Sequence, residues 1–176
     1  MRRLAVIAAL ATAIAFFSLG GSLQFLDISK YTSPEVGEYG SAHKHLYFKI
    51  SILNRTLDLS RDRFQMRSDL VHLENGNGEI VHVHAENVYL DFFLQTLDMG
   101  LSQSCVALKS SFCTNKTHEL RIYINGEVVE SPGDYILKQD DNIVLWYGKK
   151  DREPDRRFFD RELPRQYRPE SKKRNI

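Results

Sequence analysis

Arg2 and Arg3 stand ahead of residues 4–26, a run with no charged side chain and Gln24 as its only amide. Basic residues before an apolar run match the positive-inside arrangement, with the N-terminus in the cytoplasm and everything after Asp27 exported. A spanning helix needs about 20 apolar residues, a length reached here only if Gly20, Gly21, Ser22 and Gln24 are counted. The dense core, 4–19, is shorter, and Ser18 and Gly20 have the minus-three and minus-one spacing that a signal peptidase accepts. A retained anchor and a removed signal peptide are therefore the two readings of residues 1–26. A buried globular helix would need a polar face, which the core lacks. Either reading places the folded part on the extracytoplasmic side of the cell membrane, and a retained anchor makes the protein single-pass.

The termini set aside, about 120 residues remain, enough for one hydrophobic core. Residues 27–42 read as a polar linker, 43–148 as the domain and 149–176 as a charged tail. The formal net charge of +1 conceals a basic excess in that tail. With Pro154, Pro164 and Pro169 and no apolar period, the tail is expected to be disordered. Phe158 and Phe159 are its exceptions, anchors for the domain or for a partner protein. Lys172, Lys173 and Arg174 form a small basic cluster suited to anionic lipid head groups. No nucleic-acid partner is expected.

Within the domain, residues 46–59 alternate Tyr47, Lys49 and Ser51 against Phe48, Ile50 and Ile52 and break near Asn54, the pattern of a β-hairpin. Residues 70–73 and 80–84 flank the turn 74–78, and 120–124 leads through Asn125-Gly126 to Val128 and Val129. Both are hairpin signals, Asn-Gly especially, because both residues tolerate positive φ. Val88, Leu90, Phe92, Phe93 and Leu97 recur at helical spacing, with Asn87 as the predicted N-cap and Gly100 beyond the end. Ile136 and then 143–147, with Trp146, close the set. One helix on a mixed or antiparallel sheet built from hairpins predicts an α+β fold of the β-grasp, ubiquitin-like type.

Cys105 and Cys113 are the only cysteines and would face an oxidising compartment, so a local disulfide is predicted. The Cys-x-x-Cys spacing of redox pairs is absent. Asn54-Arg55-Thr56 and Asn115-Lys116-Thr117 fit the glycosylation pattern, making Asn54 and Asn115 acceptor candidates in an exported chain. No Gly-x-Ser-x-Gly, Walker or dinucleotide pattern occurs, and Gly76 and Gly78 are explained by a hairpin turn. A catalytic role is not expected.

The stretch from about 43 to 148 resembles an uncharacterised family of exported archaeal and bacterial proteins. The resemblance rests on His-Lys-His-Leu at 43–46, Asn-Gly-Glu-Ile-Val-His-Val-His at 77–84, the helix 90–97 with its Phe-Phe, Tyr-Ile-Asn-Gly at 123–126, and 141–145 leading to Tyr147-Gly148. The chain departs from the family pattern at 71–74, where Val71-His72-Leu73-Glu74 replaces His-x-His-Asp. Some relatives carry thiol-disulfide labels, which the cysteine spacing here does not match. The family has no established activity to carry over.

His82 and His84, two apart on a strand, share a face, and His43 and His45 repeat the spacing. If the first strand lies beside the one ending at His84, the four imidazoles converge with His72 and Glu74 nearby, a donor set suited to copper, zinc or nickel. The plainer reading makes them half-exposed strand residues, with His43 and His45 in a linker. His118, beside a sequon, reads as surface. Two functions follow: a non-enzymatic tethered domain that binds a partner through its sheet and tail, or an extracytoplasmic copper- or zinc-binding protein using His82, His84, His43, His45 and His72.

Overall fold

Alternating apolar residues in the longest strands build a sheet with one face turned to a short helix and the other to the C-terminal segment. The computed structural model describes residues 35–168. Contacts divide the chain into 1–33 and 34–176, and the expected anchor or signal lies outside the described residues. Among the described residues no helix is long and apolar enough to cross a membrane.

The strands are β1 (Lys44–Ile52), β2 (Arg55–Thr56), β3 (Val71–His72), β4 (Ile80–Val83), β5 (Gly100–Leu101), β6 (Cys105–Ala107), β7 (Ser111–Cys113), β8 (His118–Ile124), β9 (Glu127–Val128) and β10 (Asn142–Lys149). The single α-helix described, α1, spans Leu90–Thr96. The main sheet runs β3-β4-β1-β10-β8-β9, with β2 paired to β1. β1 and β10 are parallel at its centre, Tyr47 opposite Asn142 through Ile52 opposite Tyr147, and the other pairings are antiparallel. The fold is therefore α+β, one helix on a mixed sheet, compatible with the expected β-grasp type.

Leu46, Phe48 and Ile50 of β1 and Ile143, Leu145 and Tyr147 of β10 meet Leu90, Phe93 and Leu94 of α1 in one core. Phe48 and Phe93 pack edge to face with ring centres 5.1 Å apart. The turns form where Asn and Gly permit left-handed backbone: Leu53 and Asn54 have φ of 50° and 64°, Asn125 and Gly126 of 54° and 88°. The first hairpin is real, although its returning arm is only β2.

The helix begins later than its periodicity implies. Asn87 is not the cap: it has φ 57°, and its side chain donates to the Glu35 carbonyl. The first helical N–H groups instead find main-chain acceptors in a neighbouring loop, Leu90 to Tyr135 and Asp91 to Gly133. Gly100 does not end the helix; Asp98, at φ 58°, takes the left-handed position and Gly100 starts β5. The cysteines stand opposite each other on β6 and β7 and are disulfide-bonded. Asn54 and Asn115 are both exposed, in a turn and a loop.

Residues 150–168, expected to be disordered, lie across the sheet face opposite the helix as an irregular strap with two 3-10 turns, Arg156–Phe158 and Arg165–Tyr167. Phe158 and Phe159 pack on Tyr123, Val144 and Trp146. Asn142 Nδ2 donates to the Phe158 and Phe159 carbonyls, Tyr47 Oη donates to the Glu162 carbonyl, and Leu163 is buried. The strap is held by aromatic anchoring and main-chain acceptors, neither of which makes a periodic pattern.

Candidate histidine centre

Strand alternation that sends Leu46, Phe48, Val81 and Val83 into the core sends His45 and His82 to the opposite face. Register then aligns them: His45 stands opposite His82 on β4, and His82 opposite His72 on β3. Three neighbouring strands thus carry one histidine each at the same level. One step along, Lys44 pairs with Val83, which brings His43 beside His84. The two His-x-His pairs and His72, expected to converge if these strands were adjacent, form a grid on the sheet face.

Ring centres are 4.7 Å apart for His45 and His82, 5.8 Å for His72 and His82, 5.0 Å for His72 and His84, 5.1 Å for His43 and His84, and 4.8 Å for His43 and His45. Two imidazoles on one tetrahedral ion, with bonds of about 2.0–2.1 Å, have ring centres roughly 5 Å apart and donor atoms roughly 3.3 Å apart. His43 Nε2 and His45 Nε2 are separated by 3.3 Å. Glu74 sets its carboxylate between two rings, 3.6 Å from His72 Nε2 and 3.5 Å from His82 Nε2. Among the described residues no three donors already surround one point at ligating distance. His43 meets His45 and His84 edge to face, as His45 meets His82, whereas His82 stacks with His72 and His84, and side-chain rotation is needed to bring their nitrogens onto a common ion.

Access is graded. His45, His72 and His82 are buried, His84 is half-buried and His43 is exposed. Tyr167 of the strap covers the buried side, its ring 5.1 Å from His45 and 5.4 Å from His82, and Tyr39 lies 5.7 Å from His84.

Burial favours the neutral form of His45, His82 and His84. It lowers the His45 pKa to about 4, with further lowering from His82, His43 and His84. Burial likewise lowers His82, against an opposing pull from Glu74, and it lowers His84, with His72 and His43 adding to the effect. Neutral rings offer lone pairs at neutral pH.

Outer partners fix which nitrogen is free. His72 Nδ1 lies 2.8 Å from the Ser68 carbonyl; a carbonyl only accepts, so Nδ1 carries a proton and Nε2 is the nitrogen that faces Glu74. His45 makes a hydrogen bond to the Tyr167 main chain. Gln139 ties both segments together, accepting from His45 N and donating to the Tyr167 carbonyl. Ligating histidines characteristically use their second nitrogen in this way. Against this background His82 Nε2 is the one buried side-chain polar atom among the described residues with no hydrogen-bond partner.

Sequence reasoning missed Tyr167, Gln139 and Ser68, none of which carries a ligand signature. His118 stays apart from the grid, stacked on Tyr147 at 5.7 Å. Comparison with known protein families, curated proteins and solved structures gives no match.

Proposed function

We propose that this chain is an exported, membrane-tethered, β-grasp-like domain that binds a transition-metal ion, copper or zinc, through His82, His84, His45 and His72, with His43 at the solvent side and Glu74 as a carboxylate donor. The observation that carries this reading is His82 Nε2, a buried nitrogen with no hydrogen-bond partner, set 3.5 Å from the Glu74 carboxylate among the other imidazoles. An unpaired buried polar atom costs about 1–3 kcal/mol, a cost that ligation removes. Imidazole-rich sets with one carboxylate suit copper and zinc, and the second-nitrogen contacts of His72 and His45 match those of ligating rings. The function is binding without catalysis.

Of the two dockings open to Phe158 and Phe159, on the domain or on a partner protein, both rings take the first, and the partner-binding reading then rests on the sheet and the basic tail.

The test uses the full chain, purified in detergent and stripped with chelator, titrated with Cu(II) and Zn(II) in a calorimeter beside elemental analysis of the unstripped protein. One-to-one binding with Kd below about 1 μM, weakened at least about a hundredfold by replacing His82 and His84 with alanine, is expected. Absence of heat with both metals, or equal affinity in the variant, overturns the proposal.

A further inference from the structure

The helix side of the sheet carries a second site that the histidine centre does not use. At the C-terminal end of α1 a cleft of about 470 Å³ opens between Phe64, Leu97 and Met99 on one wall and Leu108 and Phe112 on the other. That volume lies within the range typical of small-molecule sites, about 300–1,000 Å³. Its floor is core: Phe64, Leu97 and Met99 are buried and continuous with the main hydrophobic cluster.

The rim is basic. Arg63 lays its guanidinium over the Phe64 ring, 4.4 Å from the ring centre, and makes no ion pair among the described residues. Lys109 on the opposite lip is exposed and has no carboxylate partner among the described residues. Arg67 is committed to Asp98 at 3.0 Å and to the Thr96 carbonyl, which neutralises the single acid of the rim. Two cations thus stand unpaired across an apolar slot. The lip bearing Leu108, Lys109 and Ser110 belongs to the β6–β7 hairpin, held to its own base by the Cys105–Cys113 disulfide. The slot therefore has a stapled wall as well as a core wall.

We propose that this cleft binds a single-chain amphiphilic carboxylate, its alkyl part lying against Met99, Leu97 and Phe112 and its head group between Arg63 and Lys109. Apolar burial supplies affinity, and the two cations select an anion over a neutral or cationic amphiphile. The proposal is independent of the proposed metal binding, whose histidines lie on the other face of the sheet.

The test uses the full chain in phosphatidylcholine nanodiscs, labelled with a diazirine-bearing dodecanoic acid and mapped by mass spectrometry. Adducts are expected on the cleft-lining segments 97–99 and 108–112. Dodecanoate should compete and dodecanol should not, and Arg63→Gln with Lys109→Gln should lower labelling roughly tenfold, the loss expected for a charge-assisted contact. Met99→Phe, which fills the floor, should abolish labelling while Trp146 keeps its native near-ultraviolet circular dichroism. Labelling scattered over exposed apolar residues, equal competition by dodecanol, labelling unchanged in both variants, or no adduct at all would overturn the proposal. Loss of labelling when the discs carry anionic lipid would mean that the cations meet a bilayer head group rather than a free carboxylate, and would overturn it as well.

Discussion

His45 offers a direct measure of how dry the histidine face is. The residue is 9% exposed and its pKa is lowered to about 4 from an ordinary 6.5, burial being the leading cause. When a folded pKa is depressed in this way the unfolded chain takes up protons first, so stability is full above pH 6.5 and falls as the pH drops toward 4. With those two values, linkage gives a loss of about 1.4 kcal/mol at pH 5.5 and about 2.5 kcal/mol at pH 4.5 relative to pH 7.5, against a typical total of 5–15 kcal/mol. His82 and His84, also lowered, add to the loss in the same direction. The assay is urea unfolding of the chelator-stripped protein, followed by Trp146 fluorescence at pH 7.5, 6.5, 5.5 and 4.5. The His45→Gln variant should show a slope shallower by the amounts above, whatever its stability at pH 7.5. A flat profile between pH 7.5 and 4.5, or equal slopes in variant and parent, would refute the claim that burial holds this ring neutral.

Gly148→Ala should be costly, because a Cβ there would run into the Trp146 ring; overpacking of this kind costs about 1–3 kcal/mol, read as a lower urea midpoint and altered Trp146 emission. Replacing Phe158 and Phe159 together by alanine should free the strap: each ring is half-buried, worth about 1–2 kcal/mol, and trypsin cleavage after Arg156 and Arg157 should become rapid while the rest of the domain stays resistant. Resistance equal to the parent's would show that the rings do not hold the strap. Reducing Cys105–Cys113, which closes a short loop, should cost about 2–3 kcal/mol and raise amide exchange in β6 and β7 without changing exchange in β1 or β10. Global unfolding on reduction would contradict a purely local staple.

The sequence made the strands with short-range markers legible. Alternation in β1 and the Asn125-Gly126 turn report local geometry, and they place the hairpins well. The parallel pairing of β1 with β10 leaves no such mark, since it joins segments from opposite ends of the domain. The histidine grid was half-visible for the same reason: spacing of two puts His82 and His84 on one face, but only the register of His45, His82 and His72 across three strands makes them neighbours. The strap was hidden because prolines and charges dominate its composition, while its attachment depends on two aromatic rings and a few carbonyl acceptors. The helix cap was misassigned because the acceptors for its first N–H groups come from Gly133 and Tyr135, far along the chain.

The parallel β1–β10 pair also sets a schedule. Tyr47 cannot take its place in the middle of the sheet until Asn142 and the strand after it have been made, and Tyr167, which roofs the buried histidines, follows later still. Contacts of such long sequence separation are slow to form, because the intervening chain must lose its freedom before they reward it. Until those later segments are made, His43, His45, His72, His82 and His84 are scattered side chains with little joint affinity for any ion. On the proposed reading the centre matures last, wherever an exported chain completes its fold, and the topology of the sheet would then decide which pool of metal it meets.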